Sequence, residues 1–126
     1  MSETFPKSNR ILHRAEFREV YAKGRKIQAK FFTAFVLQNS LERVRLGITA
    51  TRKSGKAVNR NRARRLVREV FRKHKSRIAA NLDIVVNVKS QLCDADYWDV
   101  EADFLAFIEK AGKSSEVHPD SSDQRL

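Results

Sequence analysis

The sequence predicts an α+β domain, a single mixed sheet packed with helices in the order α-β-β-α-β-α, with the first strand bent or divided. Three observations lead there. Apolar residues recur at helical spacing near residues 13–23, 57–75 and 96–112. Between the first two lie a run rich in aromatic and branched residues, 27–38, and a strictly alternating run, 43–50. A short continuous apolar run, 83–89, separates the last two. With 126 residues, 41% of them hydrophobic, the chain has material for one domain with its own core.

HRAEFREVYAK, residues 13–23, sets Phe17, Val20 and Tyr21 among charged residues as a short amphipathic helix, with Gly24 as its stop. IQAKFFTAFVLQ, 27–38, reads as a strand that puts Phe31 and Phe35 on one face and Phe32 on the other. Asn39 and Ser40 supply a turn. Val44, Leu46, Ile48 and Ala50 then alternate with Arg43, Arg45, Gly47 and Thr49, as a half-covered strand does, and these two runs are expected to form an antiparallel hairpin. After the loop TRKSGK, 51–56, comes the strongest helical pattern. Ala63, Leu66, Val67, Val70, Phe71 and His74 fall in one sector, and Asn61, Arg64, Arg65, Arg68, Arg72 and Lys75 in the opposite one. DIVVNVK, 83–89, is apolar towards both faces and belongs inside the sheet. Asp94 or Asp96 opens a last helix that buries Tyr97, Phe104, Leu105 and Ile108 and ends near Gly112. KSSEVHPDSSDQRL, 113–126, lacks apolar periodicity and reads as a disordered polar tail, leaving 1–112 as the domain.

The charge is concentrated. The chain carries 26 Lys and Arg against 15 Asp and Glu, a net +11. Residues 1–51 contribute +6 and residues 78–126 contribute −6, so the entire excess sits in residues 52–77, where 12 cations face the single acid Glu69. Such crowding is self-repulsive, and a polyanion relieves it with release of condensed counterions. Within 59–68, NRNRARRLVR, five of ten residues are arginine, whose planar fork grips phosphate in bidentate fashion and stacks on bases. Asn61 can donate and accept at a sugar or base edge. A solubilising helix would instead mix Lys with Glu at i,i+4. The loop before the helix leads Arg52, Lys53 and Lys56 to the positive end of the helix dipole, itself an anion-binding arrangement. An anionic membrane is the weaker partner, because the apolar sector of the helix is used up by the sheet.

Other features lead to no chemistry. No apolar run approaches the ~20 residues that span a bilayer, and Met1–Arg10 lacks a signal-like apolar stretch, so a soluble cytoplasmic protein is expected. Cys93 is the sole cysteine, which excludes an intrachain disulfide and a thiolate zinc cluster. Gly55-Lys56 ends like a nucleotide-phosphate loop, but the first glycine is missing and Ala57 stands where Ser or Thr would bind magnesium. Asp94, Asp96, Asp99, Glu101 and Asp103 sit near a helix start, where acids suit the dipole, without a calcium-loop glycine. His13, His74 and His118 show no ligand spacing, and His74 lies on the apolar sector as a packed histidine. No nucleophile with its base is visible. Aromatic residues left beside the cations would stack single-stranded nucleic acid. From residues alone the chain is an RNA-binding module, with a ribosomal or other structural RNA-binding protein, a DNA binder and a metal-dependent nuclease as alternatives in descending order.

TRKSGKAVNRNRARRLVREVF, 51–71, resembles the signature of the bacterial ribonuclease P protein component, as do NRILHRAEF, 9–17, and VYAKGRK, 20–26. The likeness covers roughly residues 6–110. It implies a protein subunit that joins a catalytic RNA to remove the 5′ leader of precursor tRNA, one protein per RNA, with no small-molecule substrate. In that family the RNA does the chemistry with magnesium ions held mainly by RNA, and no cofactor or catalytic residue is expected on the protein. Carried over by position, Arg52, Lys53, Lys56, Arg60, Asn61, Arg62, Arg64, Arg65, Arg68 and Arg72 would meet the RNA subunit. Phe17, Tyr21, Thr33 and Phe35 would line a leader cleft between the sheet and the first helix, with Phe35 where related chains often have tyrosine. The resemblance also implies a left-handed βαβ crossover, against the usual rule.

Overall fold

The structure is a computed structural model, and it describes residues 9–11, 13–41, 43–51, 53, 55–78 and 81–116. Helix α1 spans Arg14–Lys23, strands β1, β2 and β3 span Arg25–Gln28, Phe32–Gln38 and Arg45–Thr49, and helix α2 spans Ala57–His74. Strand β4, Leu82–Val88, and helix α3, Tyr97–Glu116, complete the α+β domain, with single 3-10 turns at Lys75–Arg77 and Ser90–Asp94.

The four strands lie in the order β1-β2-β4-β3. β2 runs antiparallel to β4, and β3 runs parallel to it. The expected hairpin between residues 27–38 and 43–50 therefore does not form. β4 inserts between them, because its Ile84, Val85 and Val86 are fully buried towards both faces and a strand of that kind is stable only in the interior. Asn39 turns the chain away from its neighbour. Its backbone N–H donates to Asn81 O at 2.8 Å, and its side-chain amide donates to Asp83 Oδ1 at 2.6 Å.

The hairpin lies one step earlier, between β1 and β2. It forms because the single run 27–38 divides at Ala29–Phe31, where Asp103 of α3 accepts the backbone N–H groups of Lys30 and Phe31 at 3.0 and 2.8 Å. That break also interrupts the alternation. Phe31 packs with the core on the side of Phe32 instead of sharing a face with Phe35.

One sheet face carries the main core. Phe32, Ala34, Val36, Leu46, Ile84 and Val86 meet Ala63, Val67, Val70 and Phe71 of α2 and Val100, Phe104, Phe107 and Ala111 of α3. Ring centroids of Phe32 and Phe107 lie 5.8 Å apart and those of Phe71 and Phe104 6.5 Å, both edge to face, the arrangement favoured by aromatic quadrupoles. On the opposite face a smaller cluster joins Ile11, Val20 and Val85 to Phe17, Phe35 and Leu37 under α1.

Asp96 opens α3, accepting the N–H of Asp99 at 3.0 Å. The helix continues four residues past Gly112 to Glu116. A lone glycine costs a helix only ~1 kcal/mol against alanine, too little to end one. Residues 113–116 of the expected tail are therefore helical, and residues 117–126 lie outside those described. Among the described residues no helix is long and apolar enough to cross a membrane.

Candidate nucleic-acid interface

The α2 wheel determines which cations face outward. At ~100° per residue Asn61, Arg65, Arg68 and Arg72 project opposite the buried stripe, Arg64 and Arg62 lie at its two margins, and Arg60 falls in the same sector as Phe71. The structure follows this geometry. Arg65 and Arg68 are exposed and engage no hydrogen bond or ion pair among the described residues. Partial burial, with the nearby charges of Arg10 and Arg64, pushes the Arg68 guanidinium below its ordinary value. Arg64 donates to Asn61 Oδ1 at 3.1 Å and to the Ala50 carbonyl at 3.3 Å. Arg72 pairs with Glu69, the one acid of the helix. Lys53 and Lys56 are exposed in the approach to the helix, and Gly55 between them takes φ 145°, a backbone region that favours glycine. Arg52 lies outside the described residues.

Two members of the predicted set turn inward. Arg62 donates to the Cys93 and Ala95 carbonyls at 2.8 and 2.7 Å, closing the end of the 3-10 turn before α3. Arg60 buries its Nε without a partner. The outward plate is thus narrower than the arginine count predicts, and it is built chiefly on Arg64, Arg65 and Arg68.

The α1 face of the sheet is ordered in rows. Strand register aligns Arg45 with Asp83, Gly47 with Val85, and Thr49 with Asn87. It extends these rows across β2 to Leu37, Phe35 and Thr33, and across β1 from Phe35 to Lys26 and from Thr33 to Gln28.

At one end, Arg45 holds the buried Asp83 through two hydrogen bonds, of 2.9 and 2.7 Å, and reaches Glu16 of α1 at 3.1 Å. Hydrogen bonding to Asp83 raises the Arg45 pKa despite burial. For Glu16 burial acts upward, but the Arg45 hydrogen bond and charge outweigh it and leave its carboxyl below the usual range. In the middle row the Phe17 ring lies on Gly47, where an added Cβ would come within 2.6 Å of Phe17 Cε1. Tyr21 meets Phe35 edge to face at 5.0 Å.

The last row is polar from edge to edge. Tyr21 Oη donates to Asn87 Oδ1 at 2.7 Å and lies 3.1 Å from Thr49 Oγ1, while Thr33 Oγ1 donates to Gln28 Oε1 at 3.0 Å. All four predicted cleft residues, Phe17, Tyr21, Thr33 and Phe35, are thereby brought to one face, and Ala50, the carbonyl partner of Arg64, directly follows Thr49. The sequence reading missed Gln28, Thr49 and Asn87. Strand register across β4 would have found them, had the partner of β3 been known.

The family profile described as Ribonuclease P matches residues 5–112. The chain belongs to the ribonuclease P protein family. It is 43% identical over 97 residues to the ribonuclease P protein component of Syntrophus aciditrophicus, covering 77% of this chain and 82% of that relative. The solved ribonuclease P protein of Thermotoga maritima superimposes with a TM-score of 0.74 at 33% identity, covering 80% of this chain and 96% of that one. That of Staphylococcus aureus gives 0.74 at 33%, covering 85% and 97%. The signature at 51–71 is what carried the resemblance, and in this family member it forms the approach to α2 and the helix itself.

The acids set aside in the sequence have structural work. Asp103 holds the β1–β2 turn and Asp96 opens α3. Glu101 lies 2.7 Å from His74 Nε2, and that bond, against the effect of burial, keeps its carboxyl below the usual range. His74 is half-buried between α2 and α3.

Proposed function

We propose that this chain acts as the protein subunit of ribonuclease P, docking its Arg64, Arg65 and Arg68 face on the catalytic RNA and holding the 5′ leader of precursor tRNA between α1 and the open sheet. The observation that carries this reading is the pair of exposed guanidinium groups, Arg65 and Arg68, which have no hydrogen-bond or ion-pair partner among the described residues, on a chain whose α1 face carries Tyr21 and Phe35. Guanidinium forks suit phosphate, and aromatic rings suit unstacked bases. Lys53 and Lys56, with Arg52, Asn61 and Arg72, extend the docking face. Arg60 and Arg62 support it from beneath.

In this reading the RNA performs the phosphodiester hydrolysis with magnesium ions that it holds itself. Asp83, Glu16, Glu101, Asp103 and Asp96 are engaged by Arg45, His74 and backbone amides, so they are poor candidates for metal ligands. One protein per RNA and a cytoplasmic location complete the proposal. A structural RNA-binding protein without a catalytic partner is the competing reading. Reconstitution separates the two. Protein alone leaves precursor tRNA uncut, and its addition to the cognate RNA at low magnesium raises cleavage. Cleavage by protein alone, or no gain on mixing, rejects the proposal.

A further inference from the structure

We infer that the polar row of the cleft reads leader bases through two amide donors, the NH₂ groups of Asn87 and Gln28, and so favours bases that present an acceptor carbonyl at C4, uracil over cytosine. This deepens the leader-binding proposal and rests on it.

Register places Gln28, Thr33, Asn87 and Thr49 side by side across β1, β2, β4 and β3. Neighbouring strands lie about 4.8 Å apart, so the row spans roughly 14 Å, room for two or three nucleotides. Each amide turns its carbonyl oxygen to a hydroxyl. Tyr21 has one proton to give, and it goes to Asn87 Oδ1 at 2.7 Å. Thr33 gives its own to Gln28 Oε1 at 3.0 Å. Both carbonyl oxygens are occupied, and both NH₂ groups remain unspent among the described residues. The row therefore offers donors to a ligand and withholds its amide acceptors.

Tyr21 also stands edge to face on Phe35, so the group that orients Asn87 belongs to the aromatic pair on which a base would stack. The Arg64 guanidinium, bonded to Ala50 just beyond Thr49, supplies positive charge at the β3 end of the row. Single-stranded RNA fits all three features: bases over the aromatic pair, edges on the amides, phosphates towards the cations.

Uracil and cytosine stack over similar area and differ at C4, an acceptor carbonyl against a donor amine, and in the opposite sense at N3, so the sign of the preference reports that the amides meet the C4 edge. The test measures affinity of reconstituted holoenzyme for precursor tRNA with an oligouridine leader, an oligocytidine leader and no leader, with the RNA subunit alone as baseline. The expected result is a uridine preference of about three- to tenfold that only the protein adds, one hydrogen bond's worth. It is abolished in Asn87→Ala combined with Gln28→Ala. Asn87→Asp, which keeps the Tyr21 contact but replaces the donor by an acceptor, shifts the ratio towards cytidine. Tyr21→Phe, which frees the amide to rotate, flattens the ratio while retaining the stacking ring. Equal affinity for the two leaders in the unsubstituted protein, or a uridine preference that persists in the double variant or in Asn87→Asp, overturns the inference. Leaders that both bind no better than mature tRNA would overturn the cleft reading itself.

Discussion

At the scale of single residues, the arginines of α2 divide into two kinds that look identical in composition. Arg65 and Arg68 extend into solvent, whereas Arg62 spends its guanidinium on two carbonyls at the end of the 3-10 turn before α3. Their substitutions should separate cleanly. Arg65→Ala with Arg68→Ala should leave the melting temperature nearly unchanged and weaken binding to the RNA subunit. The slope of log affinity against log salt should fall by ~0.7–0.9 per lost phosphate contact. Arg62→Ala should do the reverse, costing about 1.5–3 kcal/mol of stability by denaturant titration for lost charged hydrogen bonds, with the salt slope preserved. The wheel already placed Arg60 in the buried sector, which a count of cations could not show. Arg62 lies at the margin of that sector and turns inward because the Cys93 and Ala95 carbonyls stand within its reach.

Elements depend on contacts that the sequence encodes only in pairs. α1 is ten residues long, short for a helix that must hold itself, and its position comes from Phe17 lying on Gly47 and from Glu16 reaching Arg45. Gly47→Ala would push a methyl into the Phe17 ring. It should cost about 1–3 kcal/mol as overpacking and tilt α1 off the sheet. Thermal unfolding would register the first effect, and increased amide exchange in α1 the second. All three α-helices were legible from periodicity, although α3 runs past Gly112. The place where the first strand divides was not, because it is held by Asp103 of α3, far away in sequence. The partner of β3 was not. Alternation shows which side of a strand is buried but says nothing of its neighbour, and the adjacency of two runs in sequence favoured a hairpin that β4, apolar on both faces, displaces.

For the molecule as a whole, two faces of one sheet do different work. α2 and α3 close one side as core, while α1, a single short helix, covers only part of the other and leaves Gln28 exposed and Thr33, Thr49 and Asn87 part-exposed. Two carboxylates that tie layers together, Glu16 between α1 and β3 and Glu101 between α3 and α2, have lowered pKa values. A carboxylate depressed by folding adds stability that is complete above its unfolded value of about 4.3 and is lost as pH falls through the lower folded value. Melting temperature should therefore hold from pH 6 to about 4.5 and drop below it, with a shallower drop in Glu101→Gln. A drop of equal steepness in that variant would remove the His74 contact from the account. The arginine-rich helix could be read from charge and periodicity. The polar row of the cleft could not, since Gln28, Thr33, Thr49 and Asn87 are far apart in sequence and meet only through register.

The central position of β4 also sets the timetable of folding. β2 and β3 have no contact as strands until residues 82–88 are present to lie between them. On a ribosome the arginine helix emerges before the strand that completes the sheet beneath it. Long-range pairings of this kind pay their loop entropy before any reward. Synthesis of the last third of the chain therefore controls when the scaffold can close.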